Sequence, residues 1–421
     1  MLTYKKEQIQ SLSSKVLDIK ELVETICLSD FNKIHKKQIL VDISGIIKYD
    51  PKTGISRVVK SQFIKLFYLK QNDYDIRAVY LKKINNNYHY FYANNYMQNI
   101  LKLNIKEKKD FPIIINKNDI LYIADLSPID IENAITSKLF KKYKYLGLKI
   151  FFLVYDLLPI KYPHFFRNNQ NKIHHKWLDD ISSISPEFIT ISKSVKKDLK
   201  LWLKKNKPEN EANITSIHLG ADFPNTQSNI LKNKTYTKSE NINFLIVSTI
   251  EPRKAHAQLL EAFENLWNKE QNINLHIVGK KGWFVDELLE KIKKHKLLNK
   301  KLFYYDFVDD KTLKELYTNS DVIIVPSYDE GFGLPIIEAR YYKKPIIARD
   351  IEVFKEVAKD CAFYFKDTKD SNDLSISISK WIELYKKNIH PKSNNLSYLS
   401  WEENAKITFD YLTNKQYGVD K

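Results

Sequence analysis

Short runs rich in Val, Ile, Leu and aromatic residues recur along most of the chain, with helix-like stretches between them. QILVDIS (38–44), DILYIAD (119–125), KIFFLVYD (149–156) and EFITIS (187–192) are short and β-branched, and read as strands. SRVVKSQFIKLFYL (56–69), between the first two, has helical spacing. Strands that are apolar on both faces and alternate with helices predict a parallel sheet covered on both sides. A polar stretch without periodicity, PNTQSNILKNKTYTKSENIN (224–243), then reads as a linker. After it the alternation restarts with NFLIVST (243–249), NLHIVGK (274–280), KLFYYDF (301–307), DVIIVPS (321–327), KPIIARD (344–350) and CAFYF (361–365). Leu259, Leu260, Phe263, Leu266 and Trp267 fall on one face of a helix after the first of these.

This pattern predicts two α/β domains, over 37–235 and 236–400, with a charged helical extension over 1–36. Such a plan places a ligand cleft between the domains, at the carboxyl ends of the strands.

Composition narrows the ligand. With 68 Lys and Arg against 51 Asp and Glu, the formal charge of the 421-residue chain is +17. That balance attracts phosphates, as nucleic acid, nucleotide or an anionic membrane face. Much of the lysine also suits a merely solvated surface. No concentrated basic stripe or nucleic-acid module accompanies the charge, so nucleic acid is not expected as a partner. Two cysteines, Cys27 and Cys361, are too few for a disulfide framework or a zinc site and suit a reducing compartment. The most apolar window, YLGLKIFFLVYDLLPI (145–160), contains Lys149 and Asp156 and reads as a buried strand rather than a membrane span. A polar start after Met1 shows no signal peptide. A soluble or peripheral cytoplasmic protein is expected.

The second domain carries the chemistry. Arg253 and Lys254, in IEPRKAHAQLLEAF, lie between a strand end and the first turn of a helix. A helix N-terminus already attracts anions, and two cations there suit a phosphate or diphosphate. DEGFGLPIIEAR (329–340) holds an equivalent place, with two of the nine glycines between Glu330 and Glu338. Gly331 and Gly333 free the backbone for unusual angles and for close approach of a ligand to its N–H groups. Pro335 suits the first helical position.

These segments resemble the retaining GT-B glycosyltransferases of family four. EGFGLPIIE matches the E-x7-E signature, and VSTIEPRKAHAQLLEAF and KPIIARDIEVFKEVAKDCAFYF match flanking segments. ITISKSVKKDL (189–199) and IHLGAD (217–222) match the late first domain. DISGIIKYDPKTGISRVVKSQFIKL (42–66) and VYDLLPIKYPHFF (154–166) are similar to a mannosyltransferase-like subgroup of bacterial polysaccharide assembly.

The resemblance implies two Rossmann-like domains facing one another, the first for the acceptor and the second for the nucleotide sugar, and a C-terminal helix (401–421) crossing back. It implies that Arg253 and Lys254 contact the donor diphosphate and that Glu330 holds the sugar. Gly331, Phe332, Gly333 and Leu334 would offer backbone groups to sugar and phosphates, and Glu338 would take the ribose. Val308 would lie near the base and Gly54 near the diphosphate, with Arg57 and Asp156 on the acceptor side. Catalysis would rest on Arg253, Lys254, Glu330 and Asp156, without cofactor or metal, since no DxD-like motif stands at a matching strand end. The partners implied are a nucleotide sugar, a glycan or lipid-linked acceptor, and an anionic membrane surface. Another GT-B enzyme, such as a sugar-nucleotide epimerase or a phosphorylase, is the nearest alternative. Three positions depart from the pattern: Tyr155 replaces a frequent His, Ala255 a usual Asn, and Lys343 and Lys344 small residues that often include Gly.

Overall fold

The computed structural model describes residues 36–50, 54–69, 73–84, 87–102, 109–221 and 241–413. Nearly all of the expected extension over 1–36, most of the linker, and residues 414–421 lie outside the described residues.

The first sheet contains β1 (Lys37–Asp42), β2 (Tyr74–Ile84), β3 (Asn87–Tyr92), β4 (Ile120–Ile123), β5 (Lys149–Val154), β6 (Glu187–Thr190) and β7 (Asn213–Ser216), in the order β3-β2-β1-β4-β5-β6-β7. The second contains β8 (Ile242–Val247), β9 (Ile273–Val278), β10 (Leu302–Tyr305), β11 (Val322–Val325), β12 (Ile346–Arg349) and β13 (Phe363–Phe365), in the order β10-β9-β8-β11-β12-β13. Pairing is parallel apart from β2 with β3, where Val79 faces Tyr92 and Ile84 faces Asn87. Sequence patterning overlooked β2, β3 and β7. β2 and β7 carry polar and charged residues and lie at or near the edges, so they lack the uniform burial that makes a central strand legible.

Side-chain alternation separates two apolar layers on the second sheet. Leu245, Ile323 and Val325 join a cluster continuous with the first domain, whereas Phe244, Ile246, Val322 and Ile324 join another with Phe263, Trp267 and Trp381. The two sheets are therefore tied by a shared apolar contact that includes Phe332 and Ile191.

The helix Trp401–Leu412 starts with a capping box between Ser400 and Glu403 and packs on Gly54–Tyr68 of the first domain. There Gln62 Nε2 donates to Asn404 Oδ1 (3.0 Å), and Asn404 Nδ2 donates to the His218 carbonyl (2.7 Å).

Candidate active site

The strand order reverses in the second sheet between the parallel strands β8 and β11, the place where open parallel sheets hold ligands. β8 leads into a short 3-10 turn, Pro252–Lys254, and the helix His256–Asn268. β11 leads through the DEGFG loop into the helix Leu334–Tyr341, with Gly333 at its N-cap and φ at +102°. The two loops meet. Arg253 is fixed by Nη2 donating to Glu251 Oε1 (2.6 Å) and Nη1 donating to the Asp329 carbonyl (2.6 Å), with Glu330 Oε2 2.9 Å away. Lys254 Nζ donates to Glu330 Oε1. Burial alone would raise the Glu330 carboxyl, but the two cations outweigh it and hold its pKa at about 2. Glu251 is pushed up by burial, against the pull of the same cations. Two positive and two negative groups thus share a nearly dry pocket, with the cations already oriented.

The first domain closes over this cluster. A Cβ on Gly331 would lie 2.3 Å from the Tyr155 carbonyl and 3.4 Å from the Asp156 Cβ. The bare backbone at 331 therefore makes room for the first domain, a contact that local sequence does not reveal. Ser192 Oγ donates to the Gly331 carbonyl (2.8 Å) and also caps the helix Lys193–Asn206 through Val195 N (3.1 Å). Asp156 approaches Arg253 closely enough to help raise the guanidinium pKa, against burial and after Glu330 and Glu251. Its Oδ1 accepts from Leu158 N (3.0 Å), and its carbonyl lies 2.9 Å from His174 Nε2. Arg253, Lys254, Glu330 and Asp156 are therefore brought together from three loops.

The remaining expected residues are distributed around them. Glu338 receives a hydrogen bond from the buried Tyr317 hydroxyl (2.5 Å) and one from Arg57 Nη1 (2.8 Å). Arg57, expected on the acceptor side, thus reaches across the boundary to the carboxylate expected to hold the ribose. Gly54 opens the helix that carries Arg57 and is exposed. Phe332 is buried and packs edge-on against His218 (5.3 Å). Val308 and Leu334 are partly buried against the shared apolar cluster.

Sequence reasoning missed four ties. Glu251 fixes Arg253, and Tyr317 fixes Glu338. Lys161 Nζ bridges Asp198 (2.7 Å) and Asp329 (2.8 Å) across the domains. Glu356 accepts from Lys193 N (2.7 Å) and Ser194 N (3.0 Å) and meets His218 Nε2 at 2.5 Å. Glu251 and Glu356 both stand inside the motif segments already quoted, so they were visible without an assigned role.

The departures have local explanations. Tyr155 is buried and its hydroxyl donates to the Ala124 carbonyl (2.8 Å), so it serves packing and not proton transfer. Ala255 and Lys343 both have left-handed backbones, φ +57° and +54°, where Asn and Gly are the least strained choices.

A domain model described as glycosyl transferases group 1 matches residues 227–397, which contain all of β8–β13, the cation pair and the DEGFG loop. Residues 227–397 are thus similar to the group 1 glycosyltransferases. Among glycosyltransferase relatives, the serotype-specific mannosyltransferase WbdA of Escherichia coli is 37% identical over 393 residues, 90% of this chain and 47% of that protein. The chain thus spans about half the length of that relative. O-antigen chain mannosyltransferase B of Escherichia coli is 30% identical over 131 residues, 31% of this chain and 33% of that one. The solved structure of Anabaena Alr3699/HepE in complex with UDP and glucose superposes with a TM-score of 0.59 at 14% identity, covering 90% of this chain and all of that one. Sucrose-phosphate synthase from Thermosynechococcus elongatus also gives 0.59 at 14% identity, covering 90% of this chain and 97% of that one. The fold is GT-B, as the resemblance implied, and the strand pattern predicts its two α/β units.

Proposed function

We propose that this chain is a retaining, metal-independent hexosyltransferase that moves mannose from GDP-mannose to a glycan or lipid-linked acceptor in bacterial surface-polysaccharide synthesis. The observation that carries the reading is the Arg253–Lys254 pair held at the β8/β11 reversal, opposite Asp156 of the other domain. Mannosyl transfer is supported by the relatives named above.

A sugar nucleotide breaks at the anomeric carbon, leaving negative charge on a diphosphate. Arg253 and Lys254 are placed to receive that charge, with Arg253 held by Glu251 so that it need not reorganise. The diphosphate competes with Glu330 for Lys254, which frees the Glu330 carboxylate toward sugar hydroxyls. With Arg253 still beside it, the Glu330 carboxylate stays ionised, a weak base and a poor nucleophile, which suits binding and not covalent catalysis. Attack from the face the diphosphate leaves, with that diphosphate taking the acceptor proton, preserves the anomeric configuration. Glu338 suits the ribose hydroxyls, its rotamer held by Tyr317.

Activity that survives EDTA, with an unchanged anomeric configuration in product NMR, is the expected result; an inverted product or full loss in EDTA overturns the mechanism. A thermal-shift panel of GDP-, UDP- and dTDP-sugars tests the donor. Among the described residues no helix is long and apolar enough to cross a membrane. The basic charge supports docking at an anionic membrane face, and equal sedimentation with neutral and anionic vesicles would count against it.

A further inference from the structure

The second sheet uses its reversal point for the cation cluster. The first sheet has its own, between β1 and β4, and no residue assigned above occupies it. A cleft of about 520 Å³ lies there, within the range of small-ligand sites. Tyr49, Tyr80 and Tyr88 line it from the side of β1, β2 and β3, and Ser127, Ile129 and Asn133 from the side of β4. Tyr49 is 82% exposed and Ile129 72%, among the most exposed large apolar side chains of the described residues. The Ser127 hydroxyl is buried and has no hydrogen-bond partner among the described residues.

Lys82, Lys83 and the Lys48–Asp130 pair also line the cleft. Tyrosine rings interleaved with polar and charged groups suit sugars, whose C–H faces are apolar and whose hydroxyls need partners. A lipid tail would have no use for Ser127 and Asn133. β4, on one side of the cleft, neighbours β5, and Asp156 stands just beyond the end of β5, so the cleft and the cation cluster flank the same ends of the first sheet's strands.

We propose that this cleft holds the sugar residues of the acceptor glycan that precede the one being extended, an inference that rests on the glycosyl transfer proposed above. The probes are reducing-end-tagged linear manno-oligosaccharides of increasing length, with GDP-mannose as donor. The acceptor KM is expected to fall with length by roughly tenfold, and Tyr49→Ala or Tyr88→Ala to bring the ratio of short- to long-acceptor KM close to unity. Tyr49→Trp should restore the ratio. A length dependence untouched by both alanine variants overturns the proposal. So does a KM set by an alkyl aglycone and not by sugar number, which assigns the cleft to a lipid. Ligand-observed NMR of the same oligosaccharides requires no turnover, so a wrong donor or reaction silences the kinetic assay at every length but leaves this readout. Binding lost in Tyr49→Ala supports the cleft, and no binding to the wild type at any length overturns it.

Discussion

Lys254 and Arg253 differ in what surrounds them. Arg253 is anchored by Glu251 and a backbone carbonyl, whereas Lys254 is held by Glu330 alone among the hydrogen bonds described. Lys254→Ala should lower turnover by on the order of a hundredfold or more in a nucleotide-sugar assay, with the fold intact. Near-normal turnover would remove the diphosphate role. Ala255 offers a separate test, because its buried Cβ is carried on a left-handed backbone (φ +57°). Ala255→Gly should stabilise the protein by about 1 kcal/mol in urea unfolding, since glycine meets no steric penalty there. A loss of stability would show that the methyl packing outweighs the strain.

The junction of β8 with the helix His256–Asn268 carries a buried imidazole. Burial, reinforced by the charge of Lys254, lowers the His256 pKa from 6.5 to about 3. The folded pKa lies below the unfolded one, so between these values the unfolded chain binds the extra proton. Stability from this group is complete above pH 6.5 and falls as pH drops toward 3, by about 2 kcal/mol at pH 5. Urea midpoints of His256→Gln should therefore decline less steeply over pH 7 to 5 than those of the wild type. Equal slopes would place the acid sensitivity elsewhere, with His276, lowered by burial to about 4, the next group to replace.

At the scale of the whole molecule, the proposed catalysis requires the two domains to meet closely. Gly331 sets that distance, because a methyl there would stand 2.3 Å from the Tyr155 carbonyl. Gly331→Ala should hold the domains apart, increasing the radius of gyration in solution scattering and cutting turnover by on the order of a hundredfold. Nucleotide binding to the second domain should persist. Unchanged scattering together with unchanged turnover would mean that the loop yields instead. Lys161 and Glu356 brace the same interface from either side, so the closed arrangement does not rest on one contact.

The alternation of buried strands with helices was legible because strands apolar on both faces suit only a covered parallel sheet. Most of the second sheet, the cation pair and the Glu330–Glu338 loop could be read from short segments, since each motif lies within one loop and its helix. β2, β3 and β7, at or next to the edges of the first sheet, could not, because their partly exposed positions break the apolar run. Tertiary structure alone decided that Glu330 neutralises both cations, that Arg57 reaches Glu338, and that Gly331 makes room for a carbonyl from the other domain. Each of these joins residues 76 or more positions apart, and no local spacing encodes them. The sequence by itself determined which chemical groups stand at the strand ends, and the packing of the two domains determined which of them meet.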